Sequence, residues 1–170
     1  MSRPTATTPD ELIELTRQFC ATAELPCEPG TRPGEVVVTL PGEKKLKTVV
    51  SLIFGQHVMS LRAFVIRNPD ENHEAVYRYL LRHNLRTAGL AYAIDKLGDV
   101  YVAGKVPLPC VDDEMLDRLF GGVLEAADAP FNDLLVMGFL ESMKKEWAWR
   151  VERGESLRNL EAFRHLLDNS

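Results

Sequence analysis

His73-Glu74 is the nearest approach in this chain to a metal-binding helix. A helical zinc pair needs a second histidine four residues after the first, so that both imidazoles face one ion. Tyr77 stands at that position. His83 is ten residues from His73, about 15 Å along a helix and too far to share a metal. His83 also falls on an apolar stripe, where a hydrogen-bonded core imidazole is the simpler reading. The cysteines are Cys20, Cys27 and Cys110, an odd count without a CxxC pair or a Cys/His ladder. That pattern argues against a disulfide framework and a structural zinc. Cys20 and Cys27 can pair only if their segments meet. Cys110 lies between a strand pattern and a helix start, where a thiolate can be activated. Nucleophilic catalysis would also need a base beside it, and no Cys/His signature supplies one. The chain has no serine-nucleophile elbow, no P-loop and no dinucleotide fingerprint. Gly121-Gly122 sits inside a helical pattern and reads as close packing or a kink. No catalytic residue, metal or cofactor is expected.

Charge and aromatic surface remain. Arg78, Arg82 and Arg86 repeat every fourth residue and fall opposite the apolar stripe of their helix. Such a row binds a phosphate or an acidic partner, or is a solvated face with Glu74 and Arg78 as an i,i+4 pair. Asp112, Asp113, Glu114 and Asp117 gather at a helix start. Favourable interaction with the helix dipole accounts for them without a cation. Trp147 and Trp149 cannot share one side of a helix, so one of them is expected near the surface, where tryptophan serves interfaces. The residues expected to bind a partner are therefore Arg78, Arg82, Arg86, Trp147 and Trp149.

The elements that must position these residues are legible in the pattern. Thr8, Pro9 and Glu11 form a capping box ahead of a helix whose Leu12, Leu15 and Phe19 face a core. Leu25 to Gly34 carries three prolines and two glycines and is expected to be a loop. Val36–Leu40 is a β-branched run closed by Pro41-Gly42. Leu46–Phe54 and His57–Ile66 alternate as strands about a Gly55-Gln56 turn. A second helix is expected from Asp70 to Arg86, with Val76, Tyr79, Leu80 and His83 buried. Leu90–Ile94 and Val100–Val106 form a hairpin across Asp95–Asp99. Asp112 caps a third helix. A fourth is expected from an Asn132 cap to Arg153, closed by Gly154, with a short amphipathic tail after it. The order α-β-β-β-α-β-β-α-α, with hairpin-length joins, means α+β: an antiparallel sheet of about five strands. Residues 8–153 are expected to form one domain, and 154–170 a C-terminal helical extension.

Composition narrows the class. The chain has 170 residues, 45% of them apolar, and 20 Lys plus Arg against 25 Asp plus Glu, a net charge of −5. That length and apolar share support a core and exclude general disorder. A net acidic chain is not a general nucleic-acid binder. No apolar run follows the amino-terminal MSRPTATTPDEL, and none elsewhere is long enough to span a bilayer. A reduced, cytoplasmic protein with no membrane contact is the expectation.

Several segments are familiar together. The run Asn68 to Arg82, Gly98-Asp99-Val100-Tyr101 with Gly104 through Leu108, and Glu114 to Leu124 resemble the bacterial YbjN-like family. Phe131 to Leu135 with Gly138-Phe139, then Glu146 to Arg150, extend the likeness, which covers roughly Val36 to Arg150. The resemblance implies a type III secretion chaperone-like fold: a twisted antiparallel sheet with helices on one side, often dimeric. It implies a chaperone-like or adaptor role toward a protein or peptide partner, or a regulator of sensory transduction, and brings no catalytic residues. The alternative is a small-molecule or nucleotide-binding regulator using the arginine row.

Overall fold

The computed structural model describes residues 8–168. The reading of the amino-terminal stretch and the last two residues of the extension lie outside the described residues. The chain forms α1 (Pro9–Thr22), β1 (Cys27–Pro29), β2 (Glu35–Pro41), β3 (Lys47–Phe54), β4 (Val58–Ile66), α2 (His73–Asn84), β5 (Ala91–Ile94), β6 (Val100–Pro107), α3 (Asp113–Ala127), α4 (Phe131–Arg153) and α5 (Arg164–Asp168), with short 3-10 turns at Leu108–Cys110 and Glu161–Phe163. The six strands form one antiparallel sheet in the order β1-β2-β3-β4-β6-β5. The sheet thus has six strands where about five were expected.

The extra strand lies in the segment read as a loop. Cys27, Glu28 and Pro29 pair with Val38, Val37 and Val36. Proline cannot donate to a ladder, but an edge strand needs donors on one side only. The Pro26 carbonyl accepts from Thr39 N–H at 3.0 Å, and Gly30 N–H donates to Glu35 at 2.9 Å. The prolines therefore shape a short edge without preventing it, and leave its outer side unsuited to further pairing. The opposite edge, β5, is blunted differently. The Asn84 carboxamide accepts from Tyr92 N–H at 2.7 Å and donates to the Tyr92 carbonyl at 3.4 Å, occupying the place of a neighbouring strand.

Strand alternation decides which face the helices cover. Val36, Val38, Leu40, Val50, Leu52, Phe54, Met59, Leu61, Ala63, Val100, Val102 and Tyr92 point to one side and are buried. All the long helices pack there, with α1 against β3, α3 against β4 and β6, α4 against β4 and α2 against β5. Phe19 of α1 meets Phe120 of α3, ring centres 5.9 Å apart. Among the described residues the other face of the sheet carries no helix.

Several element boundaries differ from the sequence reading for local reasons. α2 begins at His73, not Asp70, because Asn72 turns into the left-handed region with φ 52°. The segment before it is held to α4: Asp70 and Glu71 N–H both donate to the Gly138 carbonyl, at 2.9 and 3.2 Å. α2 ends at Asn84, so Arg86 lies just past the helix. Asn132 caps nothing, since α4 starts at Phe131 after Pro130 with no side-chain cap. Gly55 N–H donates to Val58 at 3.0 Å, which moves the β3–β4 bend to Gln56-His57, one residue later than expected. Thr8 with Glu11, Asp112 on Met115 N–H, and Gly154 at φ 66° act as read. After Gly154 the chain folds back: the Arg150 guanidinium donates to the Ser156 carbonyl at 3.0 Å, Leu160 is buried, and α5 packs on α4.

A clamp that the pattern did not announce ties sheet to helices. The Asp128 carboxylate, between α3 and α4, accepts from the backbone N–H of Glu43, Lys44 and Lys45 at 3.1, 3.0 and 2.7 Å. Burial pushes this carboxyl up, but the three donors outweigh it and hold it below its ordinary value. The Lys45 ammonium then reaches the bulge in β4, donating to the Phe64 and Val65 carbonyls at 2.6 and 2.9 Å. Burial lowers Lys45 to about 8, with Asp128 working against the fall.

Candidate functional site

The residues on the uncovered sheet face follow from pleating. Successive side chains of a strand point to opposite faces, so the neighbours of each core residue must face outward. On β3 these are Lys47, Val49, Ser51 and Ile53, and on β4 Ser60, Arg62 and Phe64. On β6 they are Tyr101, Ala103 and Lys105. Register sets the rows: Ser51 lies opposite Arg62 and Arg62 opposite Ala103; Ile53 lies opposite Ser60 and Ser60 opposite Lys105. Phe64 and Tyr101 pair edge to face with centroids 5.6 Å apart, and the Arg62 guanidinium lies 5.2 Å from the Tyr101 ring. Val49 and Phe64 remain 42% and 38% exposed, and the Lys45 ammonium lies 5.0 Å from the Phe64 ring centre.

A hollow of about 400 Å³ opens in the middle of this face, lined by Arg32, Ser51, Ile53, Ser60, Arg62 and Lys105. Glu35 is bonded to two of these residues. Its carboxylate accepts from the Ser51 hydroxyl at 2.5 Å and from Arg32 N–H at 3.0 Å, and pairs with the Arg32 guanidinium at 3.7 Å. The Ser51 hydroxyl, then Arg32 N–H, holds the Glu35 carboxyl below its ordinary value. Arg62, Lys105 and Lys47 make no ion pair among the described residues.

Two further concavities lie around α2. One, of about 280 Å³, is almost wholly apolar and runs between α2 and β5, lined by Tyr77, Leu80, Leu81, Tyr92, Ala93 and Ile94. The other, of about 470 Å³, gathers Arg78, Arg82 and Arg86 with Tyr79, His83 and Met137. The arginine row thus converges on one hollow although Arg86 has left the helix. Arg78 is partly engaged, at 2.9 Å from Glu74. His83 Nδ1 donates to the Tyr79 carbonyl at 2.8 Å, but Tyr79 and His83 are half-buried where burial was expected: of that stripe only Val76 and Leu80 enter the core, and the other two share this hollow with the arginines. Trp147 is half-buried, while Trp149 is 45% exposed with the Arg153 guanidinium 4.6 Å from its ring centre. Neither tryptophan lines the arginine hollow, so the residues singled out in the sequence fall in two separate places.

The cysteines are free thiols. Cys20 is buried and Cys27 stands beside it, and burial with that neighbour pushes the Cys20 thiol up to about 12. Among the described residues no group of three His, Cys, Asp or Glu side chains could hold a metal ion. No described helix is long and apolar enough to cross a membrane.

The sequence profile of the YbjN family, "Putative bacterial sensory transduction regulator", matches residues 8–135. This chain belongs to the YbjN family. The match begins ahead of Val36 and stops short of Arg150, so it takes in the capped first helix and leaves out most of α4. An uncharacterized protein of Mycobacterium leprae is 52% identical over 134 residues, 79% of this chain and 73% of the relative. An uncharacterized protein of Mycobacterium tuberculosis H37Rv is 51% identical over 138 residues, 81% of this chain and 75% of the relative. Among solved structures, a chain of the ExsC–ExsE complex superposes with a TM-score of 0.55 at 19% identity, covering 74% of this chain and 95% of that one. That likeness is one of fold. The YbjN chain is α+β with a type III secretion chaperone-like architecture, as the resemblance implied.

The sequence reading missed the open-face cations Arg32, Arg62 and Lys105. Arg62 alternates with Met59, Leu61 and Ala63 in β4, but Lys105 stands on β6 and Arg32 in the loop before β2, and period alone does not say which face the helices cover.

Proposed function

We propose that this YbjN protein is a non-enzymatic, protein-binding chaperone-like or adaptor protein of the bacterial cytoplasm, and that it holds its partner on the open sheet face. The observation that carries the reading is a six-stranded sheet with helices, among the described residues, on one side only, its bare side exposing Val49 and Phe64 next to a polar hollow. Apolar groups left on a rigid sheet are the usual material of a partner site. The fold is shared with a chain solved within a two-protein complex, which favours a protein ligand over a small one. Both sheet edges are blunted, so the partner binds across a face and not by adding a strand. A homodimer belongs to the same reading, joined through the side of α4 where Trp149 is exposed beside Arg153.

A second reading rests on one observation. Three arginines around a hollow of about 470 Å³ suit a phosphate-bearing small molecule or nucleotide. One experiment separates the two. The tagged protein, its Val49→Ser/Phe64→Ala variant and its Arg78→Gln/Arg82→Gln/Arg86→Gln variant are purified from the native host. A protein recovered with the parent and the arginine variant, and lost with the sheet-face variant, supports the first reading. Equal recovery by all three contradicts it. A phosphorylated metabolite that co-purifies with the parent and is lost only from the arginine variant supports the second. Light scattering on the same sample reads the mass, and a monomer at high concentration removes the dimer.

A further inference from the structure

The open face differs in charge from the molecule that carries it. The chain is net acidic at −5, and its acids crowd onto helices, as at Asp112, Asp113, Glu114 and Asp117. On the bare sheet the balance reverses. Arg32, Lys47, Arg62 and Lys105 stand against Glu28 and Glu35, and Glu35 is almost buried and occupied by Ser51 and Arg32. Lys47, Arg62 and Lys105 make no ion pair among the described residues, although the chain has carboxylates in excess.

Their spacing has a meaning as well. Lys105 lies directly opposite Ser60, so Arg62, two residues on, is its diagonal neighbour across β4 and β6. Diagonal neighbours in an antiparallel pair are about 7 Å apart, and alternate residues of an extended chain repeat at nearly that distance. Continuing the same diagonal from Arg62, past its partner Ser51, leads to the exposed Val49 on β3.

We propose that the open sheet face of this protein binds an extended, acidic segment of a protein partner. Two carboxylates at alternate positions sit on Lys105 and Arg62, and the next residues on that side are apolar and lie against Val49 and Phe64. The Arg62 guanidinium is already steadied by the Tyr101 ring, which limits the freedom lost on pairing. The inference rests on the protein-binding reading above and adds the chemistry of the partner. A single exposed pair contributes little in water, but matched pairs acting together select one sign of charge over the other.

The probe is a fluorescein-labelled peptide, Glu-Thr-Glu-Thr-Leu-Thr-Leu, with counterparts carrying Gln or Lys for Glu, read by anisotropy on the full chain. The Glu peptide is expected to bind about tenfold tighter than the Gln peptide, and the Lys peptide more weakly than either. Arg62→Glu/Lys105→Glu inverts that order. The milder Arg62→Gln/Lys105→Gln pair abolishes the preference, with thermal melts confirming that both variants fold. Equal binding of the three peptides, or a preference that survives both variants, overturns the proposal. So does an oligodeoxythymidylate that binds this face more tightly than the Glu peptide. With the native partner in hand the two levels separate. A partner lost on Val49→Ser/Phe64→Ala but kept on charge reversal leaves the protein-binding reading standing and ends this one. A partner kept by both variants ends both.

Discussion

Asp128→Ala is expected to destabilise the protein by about 3 kcal/mol, as much as deleting a buried leucine side chain. One carboxylate serves three backbone donors at 2.7, 3.0 and 3.1 Å, and without it the β2–β3 turn keeps only the Lys44 ammonium on the Ala129 carbonyl, at 2.7 Å, among the described hydrogen bonds to the α3–α4 corner. Each charge-assisted bond contributes about 1.5–3 kcal/mol, but the three act as one clamp and the freed N–H groups of an exposed turn regain water, so the sum is not reached. The close fit supports the ranking: a Cβ on Gly42 would approach Asp128 Oδ1 to 2.3 Å, so the turn is packed directly on the carboxylate. Urea unfolding of parent and variant measures the difference. A change below about 0.5 kcal/mol, the size of a neutral surface substitution, would contradict the clamp. The pH dependence carries a definite sign. The folded carboxyl titrates below its unfolded counterpart. Its contribution is therefore complete above the unfolded value of about 4 and disappears as pH falls through the folded value. Asp128→Ala should accordingly flatten part of the acid limb of the stability curve.

Gly138→Leu is expected to cost a similar amount, about 3 kcal/mol, by overpacking. A Cβ at this position in α4 would already stand 3.0 Å from Pro69 Cβ, and a full leucine has no room. The Gly138 carbonyl also holds Asp70 and Glu71 N–H, while Asn72 donates to Met137 at 3.0 Å and Glu71 accepts from Glu141 N–H at 2.9 Å. Moving residues 69–72 outward breaks this set together. For a chain of this size the loss corresponds to a fall of about 6–12 °C in Tm, which differential scanning calorimetry resolves. An unchanged Tm would show that the segment before α2 adjusts freely and that its contacts to α4 contribute nothing.

These two sites mark where the sequence stopped being legible. Strand alternation grouped Val50, Leu52 and Phe54 on one face of β3 and Met59, Leu61, Ala63 and Val65 on one face of β4, and all are buried. The caps at Thr8 and Asp112 and the stop at Gly154 were local signals and stand in the structure. What escaped was long-range. Asp128 looks like any acid at a helix end until the turn 85 residues earlier is brought to it. Asn84 looks like a helix C-terminal polar residue until Tyr92 is placed beside it. Cys27–Pro29 has the composition of a loop, and only the row Val36–Val38 makes it an edge strand. The arginine row was visible at its spacing, and its convergence with Met137 was not, because α4 supplies that residue. The open-face cations were hidden for a similar reason: Arg62 and Lys105 become neighbours only through the pairing of β4 with β6, across a crossover that encloses α2 and β5.

If a partner protein sits on the bare side of the sheet, residues there will crosslink to it. The most direct measurement is photocrosslinking in the native host, with benzoylphenylalanine placed once at Phe64 on the open face and once at Glu14 on the exposed side of α1. A crosslinked partner protein is expected from position 64 and none from position 14. Crosslinking from position 14 alone, or from neither position while the partner still co-purifies, would contradict it.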